Sequence, residues 1–419
     1  MSKTRINLFT KIGLILSGIG PGLFMIGYNI GTGSITTMTS AGSRYGMSMF
    51  WVLALSCMFV FVLLVAYGRF TLVTGDTAMR GYRKYLPFGN WIAIIIIVGM
   101  AIGEFVGIAG IMGVVSELAK EWTSFLFGGA GVNTIIITLI LIVGCYYLFW
   151  IGKYSRFEKF LTVLVIFMAL SFLLSMFVVV PEPLELISGL VPHIPDEPNA
   201  FLIIASMVGT TCGAIVFVMR SIVVAEKGWT IDNLHQEKRD AFWSAFLMLI
   251  LSGAIMACAA GTLFKMGTPV ENAIDMVKTL EPIAGRFAIS IFVVGVLCAG
   301  VSTIFPISLI LPWLISDYRG TKRDIQSPMF RILGAVAFLA ALTIPVFGGR
   351  PVWILIIAGA FQAIVMPIAT IAIFFLLNNK KIMGEHRAGL WLNIGIIATI
   401  LFSFVTTYMG VIALSDAIF

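Results

Sequence analysis

Two short strings, "GTGS" (31–34) and "GTTCG" (209–213), put glycines and hydroxyls in the middle of stretches that are otherwise apolar. Nothing beside them pairs a nucleophile with a base, and the chain has no glycine loop of the kind that cradles nucleotide phosphates. The chemistry they fit is therefore binding rather than bond-making. Non-helical backbone is tolerated at membrane depth where it lines a cavity, and there it offers free N–H and C=O groups to a ligand. The residues expected to hold one are Asn29, Gly31, Thr32, Gly33 and Ser34 in the first string and its approach, and Thr210, Thr211, Cys212 and Gly213 in the second. A single glycine cluster more often packs helices, as "GIAGIMG" (107–113) is expected to do. Two hydroxyl-bearing clusters at matching places in two halves of a chain point instead to a carrier built from inverted repeats. The helix start at Thr32, Gly33 and Ser34 would favour an anionic group, and the carbonyls before Thr210 a cation.

Charges inside apolar stretches are costly unless paired or hydrated, which makes them functional candidates. Glu104 is the acidic residue that falls deep within one, and Arg220 lies within another. The two are expected to form a charge pair, either lining the inward path or simply tying two helices together. Arg69, near a span end, is expected to reach the headgroups. Thr36, Thr37, Ser302, Thr303 and Gln362 could reach a central cavity, or could equally bond their own helices.

The elements that must position these residues follow from composition. Of 419 residues, 59% are hydrophobic and only 11% charged, which is too little charge to cover a soluble fold of this length. About 11 stretches are long enough to cross a bilayer. They lie near 11–42, 46–72, 91–116, 133–150, 158–180, 200–225, 240–264, 283–315, 331–348, 352–377 and 389–413. With the N-terminus in the cytoplasm and the C-terminus outside, most Lys and Arg fall on the inner side. Only Arg44, Lys120, Lys265, Lys278, Arg286 and Arg350 are left outside. The net charge of +7 is thus a topology signal and gives no support to nucleic-acid binding. The five cysteines lie in apolar stretches and read as small buried hydrophobes.

Several strings together are similar to the Nramp family of proton-coupled divalent-metal transporters. "GPGLFMIGY" (20–28) followed by "AGSRYG" (41–46) resembles its first helix, and "YGRFTLVTG" (67–75) its second. "GEFVG" (103–107) resembles its third-helix glutamate motif, "AGVST" (299–303) its eighth helix, and "KKIMGE" (380–385), after a helix bearing Pro367, the loop after its tenth. The resemblance implies a LeuT-type fold and secondary transport. It also implies a proton-linked role for Glu104, although the family's nearby aspartate is Ala101 here and Arg220 falls where the family often has a second histidine.

The departures fall on the family's metal ligands. Its first-helix Asp-Pro-Gly-Asn is Gly31, Thr32, Gly33 and Ser34, and its sixth-helix Met-Pro-His is Gly213, Ala214 and Ile215. Val301 and Gly359 stand at its glutamine positions.

The expectation is an all-α polytopic membrane protein of LeuT type, with a first repeat over 11–180, a second over 200–377 and an extra helix at 389–413. It would be a transporter and not an enzyme, without a cofactor, in the cell membrane. Its partners would be the lipid bilayer and a small-molecule or ion substrate, with a proton or another cation for coupling. Two cargo classes stay open: a divalent metal, favoured by the resemblance, and a small organic, amino-acid-like solute, favoured by the missing ligands.

Overall fold

The computed structural model describes residues 31–151, 154–179, 183–197, 199–281 and 287–418. Asn29 and the first part of the first expected span lie outside the described residues. From Gly31 onward the chain is nearly all helix, with no strand among the described residues. The main helices are α1 (Thr32–Tyr45), α2 (Phe50–Thr74), the short α3 (Ala78–Tyr85), α4 (Gly89–Phe127), α5 (Thr134–Ile151) and α6 (Tyr154–Val179). They continue with α7 (Ala200–Cys212), α8 (Ala214–Glu226), α9 (Leu234–Ala259), α10 (Ala288–Arg319), α11 (Pro328–Ala340), α12 (Pro351–Asn378) and α13 (Leu390–Ile418).

Among the described residues, each apolar stretch read from residue 46 onward is thus helical, with 200–225 divided at Gly213 and 331–348 at residues 341–342. Eight helical stretches among the described residues are long and apolar enough to cross a membrane, and Thr134–Leu148 and Ala169–Val179 are shorter apolar helices. The 39 residues of α4 rise about 58 Å at 1.5 Å per residue, well beyond the ~30 Å hydrocarbon core. Glu104 sits near the middle of that length.

Burial orders the bundle. The α7–α8 stretch is 89% buried, against 33% for the α13 stretch and 28% for the one containing α11, so the interrupted helix is central and the other two are peripheral. α1 joins it in the interior. Its sequence, TGSITTMTSAGSRY, has no large aliphatic run, and every residue except Gly33 and Arg44 is buried. Small side chains let the neighbouring backbones close in, the usual route to tight packing where lipid removes the hydrophobic drive between helices. Thr37 and Ser206 share a 3.1 Å hydroxyl contact that ties α1 to α7.

The second interruption is shorter than the sequence suggested. Thr210, Thr211 and Cys212 complete α7, and Gly213 alone is extended (φ −63°, ψ 151°) before α8 begins. Any residue can adopt that φ, so glycine is required here for space. A Cβ at Gly213 would overlap the Gly209 carbonyl and lie 2.8 Å from Gln362 Oε1. One turn earlier, a Cβ at Gly209 would run into the Gly359 carbonyl of α12.

Gly209→Ala is therefore expected to destabilise by about 1–3 kcal/mol through overpacking, although alanine favours helix by about 1 kcal/mol. Gly144→Ala, on the exposed side of α5 with nothing within 4 Å of the added carbon, is expected to be neutral or stabilising. Thermal unfolding of both variants in detergent measures the difference; equal melting temperatures would remove the close α7–α12 approach as a constraint.

Candidate functional site

The start of α1 and the last turn of α7 meet at one cavity. α1 contributes Gly31, Gly33 and Ser34, and α7 contributes Thr210. α4 adds Glu104, Gly107 and Ile111, α10 adds Thr303 and Ile307, and α12 adds Leu355, Ala358, Gly359 and Gln362. The centres of water-sized molecules can range over ≈ 60 Å³ within it.

Glu104 is the one acidic side chain in this lining and is 3% exposed. Gln362 Nε2 donates to its Oε1 at 3.0 Å. The same geometry leaves the carboxamide oxygen beside the break at Gly213. Two lining hydroxyls are fixed by their own helices: Thr210 donates to the Ser206 carbonyl at 2.8 Å and Thr303 to the Ala299 carbonyl at 2.6 Å. Their protons are thereby committed, and lone pairs remain for a ligand. Gly31, extended at the start of α1, sits so close to Thr303 that an added Cβ would meet the hydroxyl at 2.5 Å.

Of the residues singled out in the sequence, Gly31, Gly33, Ser34, Thr210 and Glu104 thus converge. Thr32, Thr211, Cys212 and Gly213 are buried beside the cavity but do not line it, and Asn29 lies outside the described residues. The Thr32 and Thr211 hydroxyls have no hydrogen-bond partner among the described residues. Gln362 and Thr303, open between two roles in the sequence, face the cavity, whereas Ser302 bonds its own helix.

Arg220 corrects the expected pairing. Its partners are Glu237 and Asp240, both on α9, and not Glu104. Arg220 Nη2 lies 3.0 Å from Glu237 Oε1 and 3.2 Å from the Glu237 carbonyl, while Nη1 reaches Asp240 Oδ2. All three side chains are essentially unexposed. The physical reason is the start of α9: residues 234–240 are already helical, and within them only Glu237 and Asp240 are buried, so "EKRD" (237–240) brings two carboxylates one turn apart to the guanidinium. Charge spacing at i, i+3 was the available signal; the span estimate, beginning at 240, hid it.

Both ends of the bundle are closed by polar ties. At one end Arg44 pairs with Glu271, donates to the Val270 carbonyl at 3.2 Å, and lies 5.0 Å from the centre of the Trp353 ring. Trp353 Nε1 donates to Glu271 Oε2 at 3.3 Å, so α1 and α12 are clasped through residue 271. At the other end Thr77 bonds Asp317, and Arg323 reaches Glu226 at 2.6 Å and Asp317 at 3.6 Å. Arg69 donates to the His386 carbonyl at 2.9 Å.

The family model for natural resistance-associated macrophage protein-like (Nramp) proteins matches residues 22–413. The chain belongs to the Nramp family. It is 24% identical over 402 residues to a divalent metal cation transporter MntH of Caldanaerobacter subterraneus, covering 92% of this chain and 90% of that one. It is 25% identical over 403 residues to the MntH of Brucella suis, covering 91% and 85%. In structure it resembles a histidine-to-alanine variant of the Eremococcus coleocola manganese transporter, with TM-score 0.72, 13% identity and coverage of 99% and 88%. MhsT in complex with L-phenylalanine gives TM-score 0.60 at 12% identity, with coverage of 94% and 98%. These likenesses establish the LeuT-type fold of this Nramp member, an integral membrane protein.

Removing Arg220 would leave two carboxylates buried without their cation. Arg220→Met is expected to cost about 3–5 kcal/mol. Adding Glu237→Gln and Asp240→Asn should recover most of the loss, and no recovery in detergent melting curves would refute the triad's role.

At the Arg44 end, partial burial would raise the Glu271 carboxyl, but hydrogen bonds from Arg44 and Trp353 outweigh it and hold it below its ordinary value of 4.5. The clasp's contribution is present above that value and lost as pH falls through the lowered one. Tryptophan emission from Trp353 should change in that acid range, and Glu271→Gln should abolish the change; the same transition in the variant would show that another group titrates.

Proposed function

We propose that this Nramp member is a secondary transporter that carries a divalent metal ion by alternating access, taking it at the Glu104 cavity. The observation that carries the reading is the Glu104 carboxyl, oriented by Gln362, in a small cavity lined by the start of α1 and the last turn of α7. The relatives' names as divalent metal cation transporters point the same way. Size argues against the organic solute: ≈ 60 Å³ is far below the roughly 300–1,000 Å³ of small-molecule pockets.

We assign the repeats to 11–180 and 200–377, with 389–413 as an addition. The distribution of Lys and Arg supports a cell-membrane protein whose N-terminus is cytoplasmic and whose C-terminus is outside. The Arg44 end then faces outward. Glu104 is the group on which a proton would be exchanged against the cation, since it is the titratable side chain of the described cavity lining.

In proteoliposomes loaded with a metal-sensitive dye, Mn²⁺ uptake is expected to saturate with concentration. Glu104→Ala should reduce it at least ten-fold, and Glu104→Gln should in addition flatten its dependence on a pH gradient. Absence of Mn²⁺ and Mg²⁺ uptake by well-folded protein would overturn the reading, and full uptake by Glu104→Ala would move the site elsewhere.

A further inference from the structure

We infer that the cavity selects hard divalent cations that keep part of their water, of the Mg²⁺ and Mn²⁺ kind, and gives soft, sulfur-seeking ions such as Cd²⁺ no advantage. The inference rests on the metal-transport reading and names the class of ion within it.

The first support is the donor set. The side-chain ligand atoms that the described lining offers are all oxygens: the Glu104 carboxylate, the Gln362 carboxamide oxygen and the hydroxyls of Ser34, Thr210 and Thr303. Cys212 and Met207 on α7 are fully buried outside the lining, and none of His193, His235 and His386 reaches it. Carboxylate, carbonyl and water oxygens suit Mg²⁺ and Mn²⁺, whereas thiolate and thioether ligands select soft ions.

The second support is orientation. Thr210 and Thr303 donate to their own helices, so their hydroxyls meet a cavity occupant as acceptors, and Gln362, with one N–H given to Glu104, keeps its carboxamide oxygen as a further acceptor. Acceptors arranged around one carboxylate favour a cation, either directly or through the protons of its bound water.

The third support is space and charge. One carboxylate neutralises half of a divalent charge, so full dehydration would be poorly repaid. Mg²⁺ in particular keeps several waters and is held through one or two carboxylates. A single water needs roughly 10–15 Å³ of such volume, so ≈ 60 Å³ gives room for an ion with several waters. A cation with part of its shell fits that allowance.

The test compares uptake of Mn²⁺, Mg²⁺ and Cd²⁺ by the full chain in proteoliposomes. In the wild type, KM for Mg²⁺ should lie within about ten-fold of that for Mn²⁺, and KM for Cd²⁺ should be no lower than that for Mn²⁺. Ser34→Cys, which replaces a lining oxygen by sulfur at nearly constant shape, should lower the Cd²⁺ to Mn²⁺ ratio of KM values about ten-fold. Thr210→Cys makes the same exchange on a different helix, should either variant fail to fold. A wild-type KM for Cd²⁺ ten-fold or more below that for Mn²⁺ would overturn the selectivity and leave metal transport standing. An unchanged ratio in a cysteine variant whose thiol reacts with a maleimide would overturn the assignment of these oxygens. Uptake of none of the three ions would overturn the transport reading and this inference with it.

Discussion

Backbone N–H and C=O groups find no water in hydrocarbon, so a helix that stops in mid-membrane must hand its free ends to the protein or to a ligand. The break between α7 and α8 obeys this constraint in the narrowest way. α1 begins directly after Gly31, and α7 and α8 are separated by Gly213 alone. A break of one residue can be sheltered only if neighbouring backbones come very close, which is what Gly209 against Gly359 and the bare α-carbon of Gly213 beside Gln362 allow. The packing that hides the breaks also draws Glu104, Thr210 and Thr303 around the same small volume.

A buried carboxylate in that volume needs support, and its surroundings supply it in graded amounts. Gln362 gives a hydrogen bond without adding a charge. The nearby start of α1 contributes the positive end of a helix dipole to the same cavity. Arg220, which would have neutralised Glu104 outright, is held by two carboxylates of α9 instead. A fully paired Glu104 would have little affinity left for a cation. The division of labour therefore keeps the Arg220 ion pairs for structure and leaves Glu104 as the acidic side chain of the described cavity lining.

Much of this was legible in the sequence. Apolar length found the helices, because hydrocarbon thickness sets them, and the glycine-hydroxyl strings found the cavity, because broken backbone at that depth needs a purpose. Glu104 stood out by its cost. What escaped was partnership. Whether Glu104 meets Arg220 or Gln362 depends on how α4, α8, α9 and α12 face one another, and no local pattern fixes that. Glu237 fell outside the expected span and Asp240 on its first residue, because hydropathy marks where apolar character begins, which lies a turn or two inside the true start of α9. Thr210 to Cys212 looked unwound because glycine and threonine are poor helix formers, yet burial between α1 and α12 holds them helical up to Gly213.

The arrangement also separates the two closures of the bundle. α1 runs from the cavity to the Arg44 clasp with Glu271 and Trp353, while α8 runs from the cavity to the Arg220 cluster and, through Glu226, to Arg323 and Asp317. The two sets of ties share no residue. Had the central helix been continuous, loosening one end would have levered the other and displaced the cavity wall between them. With the backbone interrupted at Gly213, a half-helix can tilt about the break while its counterpart stays seated. Each closure can then open at the cost of its own few ion pairs, and the Glu104–Gln362 contact on the unbroken α4 and α12 stays in place as the fixed point between them.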